Sequence, residues 1–596
     1  MSHLTHFGVG NFKVFNELTD FELAPLTILT GKNNSGKSSL LKALLLFKKN
    51  LKPNTFKWGN DFNTSFEELE FGFPELRLGS ANEIFNYNTP SPYQSISFNF
   101  GIDSFMFPKG ILNLWYSIED TNEILRLKGF AIMKDNKPII SFLNEIELKE
   151  ECFQIDFQYF IDRIREAQKQ SSKTDMKDFG EKIGYLKRKD SYRYKDFKSL
   201  KYAEPFFDLL NSGQLILGIE NGGVPDEIIK EDPRKLNGAK IDIEKTDLLK
   251  IQSQLMELFQ KGIWAEGRNV LFGTINQFFR NFSLLLEEQI TEIFYQDEIL
   301  KLKYDNQIFT YFGNRKNYLN PDSDTRPFIK PKLHSFFDYV KKLLEDVISE
   351  FSNSWENVSY LPSIRAKNER LYYVSKEGYS IQEFDQKAFE TIDFKNEIIN
   401  KFYSDVLKDF EIGEKIEVKT YQRTATEITI IRNERKMLLS DLGFGYAQLL
   451  PIIFTILTTA QKWDFWEYKE EDYISLLANP KILIEEPESN LHPDFQAKLA
   501  DMFVKASNLF GIQFIIETHS EYLIRRLQYL TAKKEISPKD VSIYYFNNPE
   551  KIPNGEKQVN KIEIRSDGIL KQDFGSGFYD QATNSTYDLF RLINEN

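Results

Sequence analysis

Cysteine and histidine are scarce in this sequence. The single cysteine, Cys152, cannot form an internal disulfide or supply a thiolate zinc site by itself. The five histidines are scattered: His3, His6, His334, His492 and His519. The sequence does not start with basic residues followed by an apolar run, so it predicts no secretory signal. We also expect no membrane-spanning stretch of about 18 or more apolar, uncharged residues. These absences exclude a disulfide scaffold and a cysteine zinc site, and they favour a cytoplasmic protein.

An excess of positive charge is also missing. The formal net charge is −12, so the chain carries no overall basic footprint for nucleic acid, although local patches stay compatible with it. Hydrophobic residues at 41% and charged residues at 28% are ordinary values that argue against disorder. The 596 residues allow roughly four domains. The 52 phenylalanines and 28 tyrosines predict large buried aromatics, or else reflect a genome rich in A and T.

A phosphate-binding motif lies near the start of the chain. Residues 26–30 predict a short buried strand, and residues 31–38 match the pattern G-x-x-x-x-G-K-[ST]. Residues 39–47 then predict an apolar helix that ends at Lys48 and Lys49. In this order, loop amides and a helix N-terminus would surround a triphosphate, with Lys37 on its β and γ phosphates and Ser38 on magnesium. The alternative is a simple glycine turn between strand and helix.

Adjacent carboxylates follow a second predicted strand. Residues 481–484 are apolar after Lys481 and lead into Glu485 and Glu486, and a helix is predicted to follow through about residue 507. Two carboxylates at a strand end are costly to bury unless a cation or a reacting water lies there. Glu485 is predicted to orient magnesium, directly or through water, and Glu486 to polarise the water that attacks the γ-phosphate. The alternative is a solvated acidic loop.

A third strand predicted at residues 513–516 leads to His519. Its imidazole would lie at the equivalent edge of the sheet, where it could hydrogen-bond the γ-phosphate and report its loss. His492 precedes a proline, and we expect it to shape the turn before the helix. A lone histidine is usually structural, but the position of His519 after the carboxylate strand favours the site.

A glycine-containing segment precedes an apolar helix. Ser440, Gly443 and Gly445 are expected to open a helix that continues toward Thr459. Its amides and the serine hydroxyl could bind an anion. Because the phosphate loop of the same subunit already saturates its own triphosphate, we expect that anion to be nucleotide held by a second subunit.

The order of these motifs resembles that of ABC-class ATPases, and the residues within them resemble those of the RecF/SMC-related, OLD-like branch. Residues 11–13, 31–36, 442–445, 484–493 and 517–520 are similar to ATPase subunits of bacterial defence systems such as Septu and of retron-associated modules. The resemblance covers roughly residues 1–50 and 425–530. It implies ATP and Mg²⁺ as cofactors and a homodimer or higher assembly.

The resemblance also implies a role for each matching residue. The ATP-binding residues would be Gly31, Asn33, Asn34, Ser35, Gly36, Lys37, Ser38 and Ser39. The signature in trans would comprise Ser440, Gly443, Gly445 and Gln448, and the D-loop Ser489 and Asn490. The metal residues would be Ser38 and Glu485, the catalytic residues Glu486 and His519, and the accessory residues Lys13, Gln94 and Arg365.

Two departures from the family pattern stand out. Glu485 replaces the usual aspartate, which lengthens the arm to magnesium by one methylene group. The glutamine of the Q-loop is not evident, and Gln94 is our prediction for it. Arg365 follows a predicted strand and is expected either to reach phosphate or to lie on the surface.

The long span between the two ends lacks the heptads of an SMC arm. Short amphipathic spacing, as at residues 153–166 and 248–260, predicts a mostly helical insertion. We therefore expect an N-terminal ATPase lobe at 1–150, a helical insertion at 151–355 and a C-terminal ATPase lobe at 356–596. Alternating runs at 68–73 and 95–100 predict strands of an antiparallel sheet.

The tail tests a nuclease interpretation. After His519, 77 residues remain, and they contain no paired aspartates after an apolar strand. No intrinsic Toprim nuclease is therefore expected, and residues 541–546 and 562–564 are predicted to be edge strands, with a helix closing the tail from about residue 578.

The sequence thus predicts an α/β P-loop ATPase core of ABC type, with an antiparallel β-subdomain and a helical insertion. Its expected role is a dimeric ATP-driven switch or sensor that controls a separate effector, a nuclease or toxin for example, in anti-phage defence. A RecF-like DNA-repair clamp and a slow-turnover ATP-binding scaffold are the alternatives. Nucleic acid or an acidic partner could bind from Lys169 to Lys201, where eleven basic and five acidic residues interleave with aromatics. The alternative for that segment is a solvated face.

Overall fold

The computed structural model describes the two ends of the chain and parts of its middle. The described residues are 4–51, 68–74, 76–88, 95–102, 107, 109–118, 124–145, 150–155, 159, 290–296, 299–304, 307–312, 351, 355, 357–363, 365, 372–373, 392–421, 425–467, 480–552, 557–574, 585, 587–588 and 590–591.

Strands predominate in the first half of the chain. The elements are β1 (His6–Gly10), β2 (Thr19–Glu22), β3 (Leu26–Gly31), α1 (Lys37–Asn50), β4 (Glu68–Glu70), α2 (Ala81–Ile84), β5 (Ser95–Ile102), β6 (Gly110–Ile118), β7 (Ile124–Lys134), β8 (Lys137–Glu145), β9 (Glu150–Ile155), β10 (Ile290–Gln296), β11 (Ile299–Tyr304) and β12 (Gln307–Phe312).

Strands alternate with longer helices in the second half. The elements are β13 (Val358–Leu361), β14 (Tyr372–Tyr373), α3 (Glu397–Asp409), β15 (Lys415–Tyr421), β16 (Ala425–Arg432), β17 (Arg435–Leu438), α4 (Phe444–Glu467), β18 (Lys481–Glu485), α5 (Pro493–Phe510), β19 (Gln513–Glu517), α6 (Glu521–Ala532), β20 (Val541–Phe546) and β21 (Val559–Ile562).

A six-stranded sheet joins the two ends of the chain. Its order is β13-β18-β19-β3-β20-β21, and every neighbouring pair except β20 and β21 is parallel. The N-terminal strand β3 therefore lies between two C-terminal strands. The prediction of two edge strands in the tail was half wrong, because β20 is an inner strand beside β3 and, of these two strands, only β21 lies at an edge of the sheet.

Both faces of this sheet are covered, which explains the nearly continuous apolar runs of its strands. On one face Leu29, Leu483 and Ile515 pack toward α1 and the antiparallel sheet. On the other face Ile28 and Ile484 pack among the helices α3–α6. The alternation follows from the two-residue period of a strand. The same three strands thus end together, with their carboxyl ends at one edge.

The second large sheet is antiparallel and lies against α1. Its order is β2-β1-β5-β6-β7-β8-β9, with β4 paired to β7, which confirms the strands predicted near residues 68 and 95. Phe47 of α1 contacts Phe98 and Phe100 of β5 at ring-centroid distances of 4.9 and 4.7 Å. The aromatic-rich composition therefore does supply a buried aromatic core.

Most of the described residues of the insertion lie in strands, in contrast to its predicted helical character. Residues 150–155 form β9, paired with β8, although an amphipathic helix was expected to begin at Phe153. Strands β10–β12 form an antiparallel three-stranded sheet. Cross-strand pairing supplies a backbone hydrogen-bond partner that local periodicity does not reveal. Apart from residues 159 and 351, which are helical, and residue 355, the other residues of 151–355 lie outside the described residues, and they include most of those for which helices were predicted.

Helix α4 is the one described helix that is long and apolar enough to cross a membrane. Its window Phe444–Gln461 is 67% buried within the protein, so it packs as a core helix does. The sequence expectation that no such stretch exists was wrong, because residues 442–461 carry no Asp, Glu, Lys or Arg.

Candidate functional site

The phosphate loop follows β3 with the geometry that the sequence predicts. Gly31 and Gly36 have φ of 132° and 111°, and Asn34 has φ of 59°, so the chain coils tightly before α1 begins at Lys37. A Cβ on Gly31 would clash with the carbonyl oxygen of Phe546, which only glycine avoids. Ser35 is buried and donates its hydroxyl to the carbonyl of Lys32 at 2.6 Å.

Lys37 lies folded over this loop. Its Nζ donates to the carbonyl oxygens of Lys32 at 2.7 Å and of Gly31 at 3.2 Å, and the residue is only 3% exposed. Burial lowers the pKa of Lys37, while the charges of Glu517 and Glu486 raise it. The ammonium group therefore lies within the field of the carboxylates at the neighbouring strand ends. Asn33 and Ser39 line the exposed tip and the helix start of the same loop.

Ser38 pairs with a carboxylate that the sequence reasoning did not assign. Its Oγ donates to both oxygens of Glu517, at 3.0 and 2.9 Å. Glu517 ends β19, the strand between β3 and β18. Burial raises the pKa of Glu517 to about 7 against the lowering effect of the Ser38 hydrogen bond. Ser38, Glu517 and Lys37 thus form one cluster at the start of α1.

Glu485 ends β18 in register with Glu517. Its Oε1 accepts a hydrogen bond from the hydroxyl of Tyr360 at 2.9 Å, and Tyr360 lies on the neighbouring strand β13. Burial and the Glu485 charge raise the pKa of Tyr360, which keeps its hydroxyl a donor. Tyr360 therefore fixes the orientation of the Glu485 carboxylate.

Glu486 begins the turn after β18, with φ of 42°. Its N–H donates to the carbonyl of Glu517 at 2.7 Å, and its Oε2 accepts from Ser489 Oγ at 3.0 Å. The predicted catalytic carboxylate is thus held by a residue of the predicted D-loop. Asn490, also in that loop, has φ of 63° and is exposed.

His519 follows β19 by two residues. Its backbone N–H donates to Glu488 Oε1 at 2.6 Å, and burial raises the pKa of Glu488. Partial desolvation and the Lys37 charge lower the pKa of His519, so its neutral form is favoured. His492 caps α5 by accepting from the Asp494 N–H at 3.3 Å, which confirms its structural role.

The signature segment begins its helix later than expected. Ser440 lies in a 3-10 turn, Leu439–Asp441, and α4 starts at Phe444, so Gly443 rather than the serine adjoins the helix N-terminus. A Cβ on Gly443 would meet nothing within 4 Å. A Cβ on Gly445 would lie 2.8 Å from the carbonyl oxygen of Asn490. The signature helix therefore packs directly on the D-loop.

Arg365 and Gln448 lie inside the subunit. The Arg365 guanidinium donates to the carbonyl oxygens of Glu485 at 2.5 Å, Glu486 at 2.9 Å and Gln448 at 3.2 Å. Burial lowers the pKa of Arg365 to about 10. Gln448 is 2% exposed, and its Oε1 accepts from the Arg365 N–H at 3.3 Å. The structure thus replaces two predicted roles: Arg365 binds main-chain carbonyls in place of phosphate, and Gln448 faces its own subunit.

Replacing Arg365 with methionine removes the donors that hold two strand-end carbonyls beside the signature helix. Because Arg365 is buried and its hydrogen bonds to these oxygens are partly buried, we expect a loss of about 3 kcal/mol in the free energy of unfolding. ATP turnover should fall with it, since the Glu486 backbone is no longer fixed. Thermal denaturation and phosphate release measure both effects. Arg565→Met, at a half-exposed arginine paired with Asp567, should change neither; equal behaviour of the two variants would contradict the prediction.

The accessory residues are only partly described. Lys13 has φ of 53° and its Nζ donates to the carbonyl of Leu78; burial and the Lys42 charge lower the pKa of Lys13. A Cβ on Gly36 would lie 2.5 Å from Val14 Cγ2, so the segment around Lys13 packs on the phosphate loop. Gln94 and the basic segment from Lys169 to Lys201 lie outside the described residues.

The residues present fit magnesium bound together with phosphate. Ser38, Glu485 and Glu517 offer the oxygen ligands that Mg²⁺ prefers. Among the described residues, no three His, Cys, Asp or Glu side chains meet closely enough to hold a metal by themselves. This arrangement suits a metal held by one or two carboxylates and completed by substrate phosphates. The phosphate loop and the start of α1 supply the anion-binding amides.

Sequence reasoning missed Glu517, Tyr360 and Glu488 as members of the site. Glu517 did carry a usable signal, because it ends an apolar strand as Glu485 does. Tyr360 carried none, since its contact depends on β13 lying beside β18.

Comparison with known families identifies the class of the protein. Residues 3–524 match the AAA ATPase domain family, and the chain belongs to that family. A second match, to a family described as a protein of unknown function (DUF3696), covers residues 536–589. No curated protein sequence matches the chain.

Several solved SMC heads overlap the chain at low similarity. The Smc head with an extended coiled coil bound to the C-terminal domain of ScpA, from Pyrococcus furiosus, is 11% identical with a TM-score of 0.32, covering 99% of this chain and 100% of that one. The Smc head with a coiled coil and joint from Pyrococcus yayanosii is 13% identical with a TM-score of 0.33, covering 95% and 98%. The ABC-type P-loop fold class rests on the strand order, the loop geometry and the family match.

Proposed function

We propose that this protein hydrolyses ATP with Mg²⁺ and uses the cycle as a dimeric switch. The observation that carries the proposal is the meeting of the phosphate loop with Glu485, Glu486 and His519 at the carboxyl ends of three adjacent parallel strands. Such an edge is where open α/β sheets bind their ligands.

The chain's own residues divide the chemistry among them. Lys37 and the loop amides bind the phosphates, and Ser38 with Glu485 would hold Mg²⁺, which when bound neutralises charge that develops on the phosphates. Glu486, fixed by Ser489, orients and deprotonates the attacking water. Neutral His519 donates a hydrogen bond to the γ-phosphate region and loses that partner after hydrolysis.

The second subunit completes the site in this proposal. The start of α4 presents backbone amides beside Gly443, where an anion would be stabilised. Phe444 is 41% exposed there, and contact with a second subunit would bury it. Contact between Gly445 and the D-loop would let the approach of the partner's nucleotide reach Glu486.

We extend the proposal to a cytoplasmic sensor of the OLD-like branch that controls a separate effector in anti-phage defence. Its support is the resemblance of the motifs at residues 484–493 and 517–520. Phosphate release by the purified protein, measured with Mg²⁺ and with EDTA, tests the ATPase. ATP binding without release would favour the scaffold alternative, and DNA-stimulated release without an effector would favour the RecF-like clamp.

The basic segment offers a separate test of a polyanionic partner. Replacing Lys187, Arg188 and Lys189 with glutamate should weaken binding of single-stranded nucleic acid and flatten its salt dependence, because fewer phosphate counterions are released. Basal ATP hydrolysis should stay unchanged. Fluorescence anisotropy across a salt series measures the effect, and identical salt slopes before and after the charge reversal would return the segment to a solvated face.

A further inference from the structure

The predicted magnesium carboxylate and the magnesium serine do not contact each other in this structure. The Ser38 hydroxyl donates to Glu517, at 2.9 and 3.0 Å, and the Glu485 carboxylate accepts from Tyr360. Glu517 is 5% exposed and comes from the strand adjacent to β3, whereas Glu485 lies one strand further away. Of these two carboxylates, Glu517 is therefore the one that directly contacts Ser38.

A serine hydroxyl that binds a cation must direct its lone pairs to the metal and donate its proton elsewhere. Glu517 supplies that acceptor, and both of its oxygens lie within hydrogen-bonding distance. Carboxylates that orient a ligand in this way typically raise metal affinity by about 10- to 100-fold. Glu517 is also negatively charged when ionised, and that charge attracts a divalent cation to the site.

We propose that Glu517 is the carboxylate that positions Ser38 in the magnesium site, and that Tyr360 orients Glu485 in the same site. This inference rests on the proposed function and assigns the metal site within it. The backbone adds support, since the Glu517 carbonyl also accepts the Glu486 N–H at 2.7 Å. Glu517 thus contacts Ser38 through its carboxylate and the Glu486 turn through its backbone carbonyl.

The test measures metal binding rather than turnover. Mn²⁺ is titrated into the full-length protein with ADP and followed by electron paramagnetic resonance, and ADP binding is measured in parallel in EDTA. Glu517→Gln should weaken Mn²⁺ binding by at least about 10-fold and leave ADP binding in EDTA within about 3-fold of the unmodified protein. Glu485→Gln removes the carboxylate that would hold the metal itself, so it should weaken Mn²⁺ binding at least as much as Glu517→Gln does.

A second variant guards against an effect of misfolding. Ser38→Ala removes the same hydrogen bond from the other side, so it should weaken Mn²⁺ binding by itself, and the double variant should lose less than the sum of the two single losses. Mn²⁺ affinity unchanged in Glu517→Gln, with ADP still bound, would overturn the Glu517 assignment and leave the proposed function standing. Failure of the unmodified protein to bind ADP in either condition would overturn both.

Discussion

Replacing Glu486 with glutamine is expected to slow ATP turnover by at least about 100-fold while ATP binding is preserved. Glutamine matches the size of glutamate but cannot take a proton from water. Its amide oxygen can still accept the Ser489 hydroxyl, which lies 3.0 Å from Glu486 Oε2, so the D-loop should keep its geometry. Single-turnover phosphate release and nucleotide titration separate the two effects. The ATP-bound dimer should accumulate and be visible by light scattering.

A matched control for this variant is Glu521→Gln. Glu521 opens α6 and pairs with Arg525 on the surface, so neutralising it should leave turnover within about 2-fold of the starting value. Turnover that survives in Glu486→Gln would exclude Glu486 as the catalytic base and indicate that another group at the strand ends activates the water.

Replacing Gly443 with arginine is expected to slow ATP hydrolysis by about 100-fold, while each subunit still binds ATP. The loss of a preorganised anion-binding group has this size in other enzymes. The start of α4 is predicted to face the nucleotide of a second subunit, and a long side chain at residue 443 would separate the two. The fold should tolerate the change, because a Cβ at this position meets nothing within 4 Å and φ is not positive.

Gly443→Ala is the matched control. It adds the same Cβ without the long cation, so hydrolysis should stay within about 3-fold of the unmodified protein. Size-exclusion chromatography with ATP, using proteins that also carry Glu486→Gln, reports whether dimers form. Normal hydrolysis in Gly443→Arg would contradict the composite site, whereas loss of ATP binding in the same variant would indicate a defect within one subunit.

Local patterns in the amino-acid sequence are enough to predict the elements around the site. The phosphate loop, the carboxylate strand and the histidine strand are contiguous segments, and their glycines, apolar runs and terminal polar residues are chemically distinctive. Residues 26–31, 481–485 and 513–517 therefore appear as strands close to their predicted bounds. The sequence could also place Glu485 and Glu486 at a strand end, because a change from apolar to acidic residues marks the end of burial.

Which strands are neighbours, and hence which polar groups meet, depends on the folded arrangement of the whole chain. The insertion of β19 between β3 and β18 brings Glu517 to Ser38 across 479 positions of sequence, and no spacing rule carries that information. Tyr360 reaches Glu485, and Arg365 reaches the carbonyls beside Gln448, for the same reason. Hydrogen bonds between distant segments are fixed by strand order and register. Strand order and register arise from packing both faces of the sheet, which involves the whole chain.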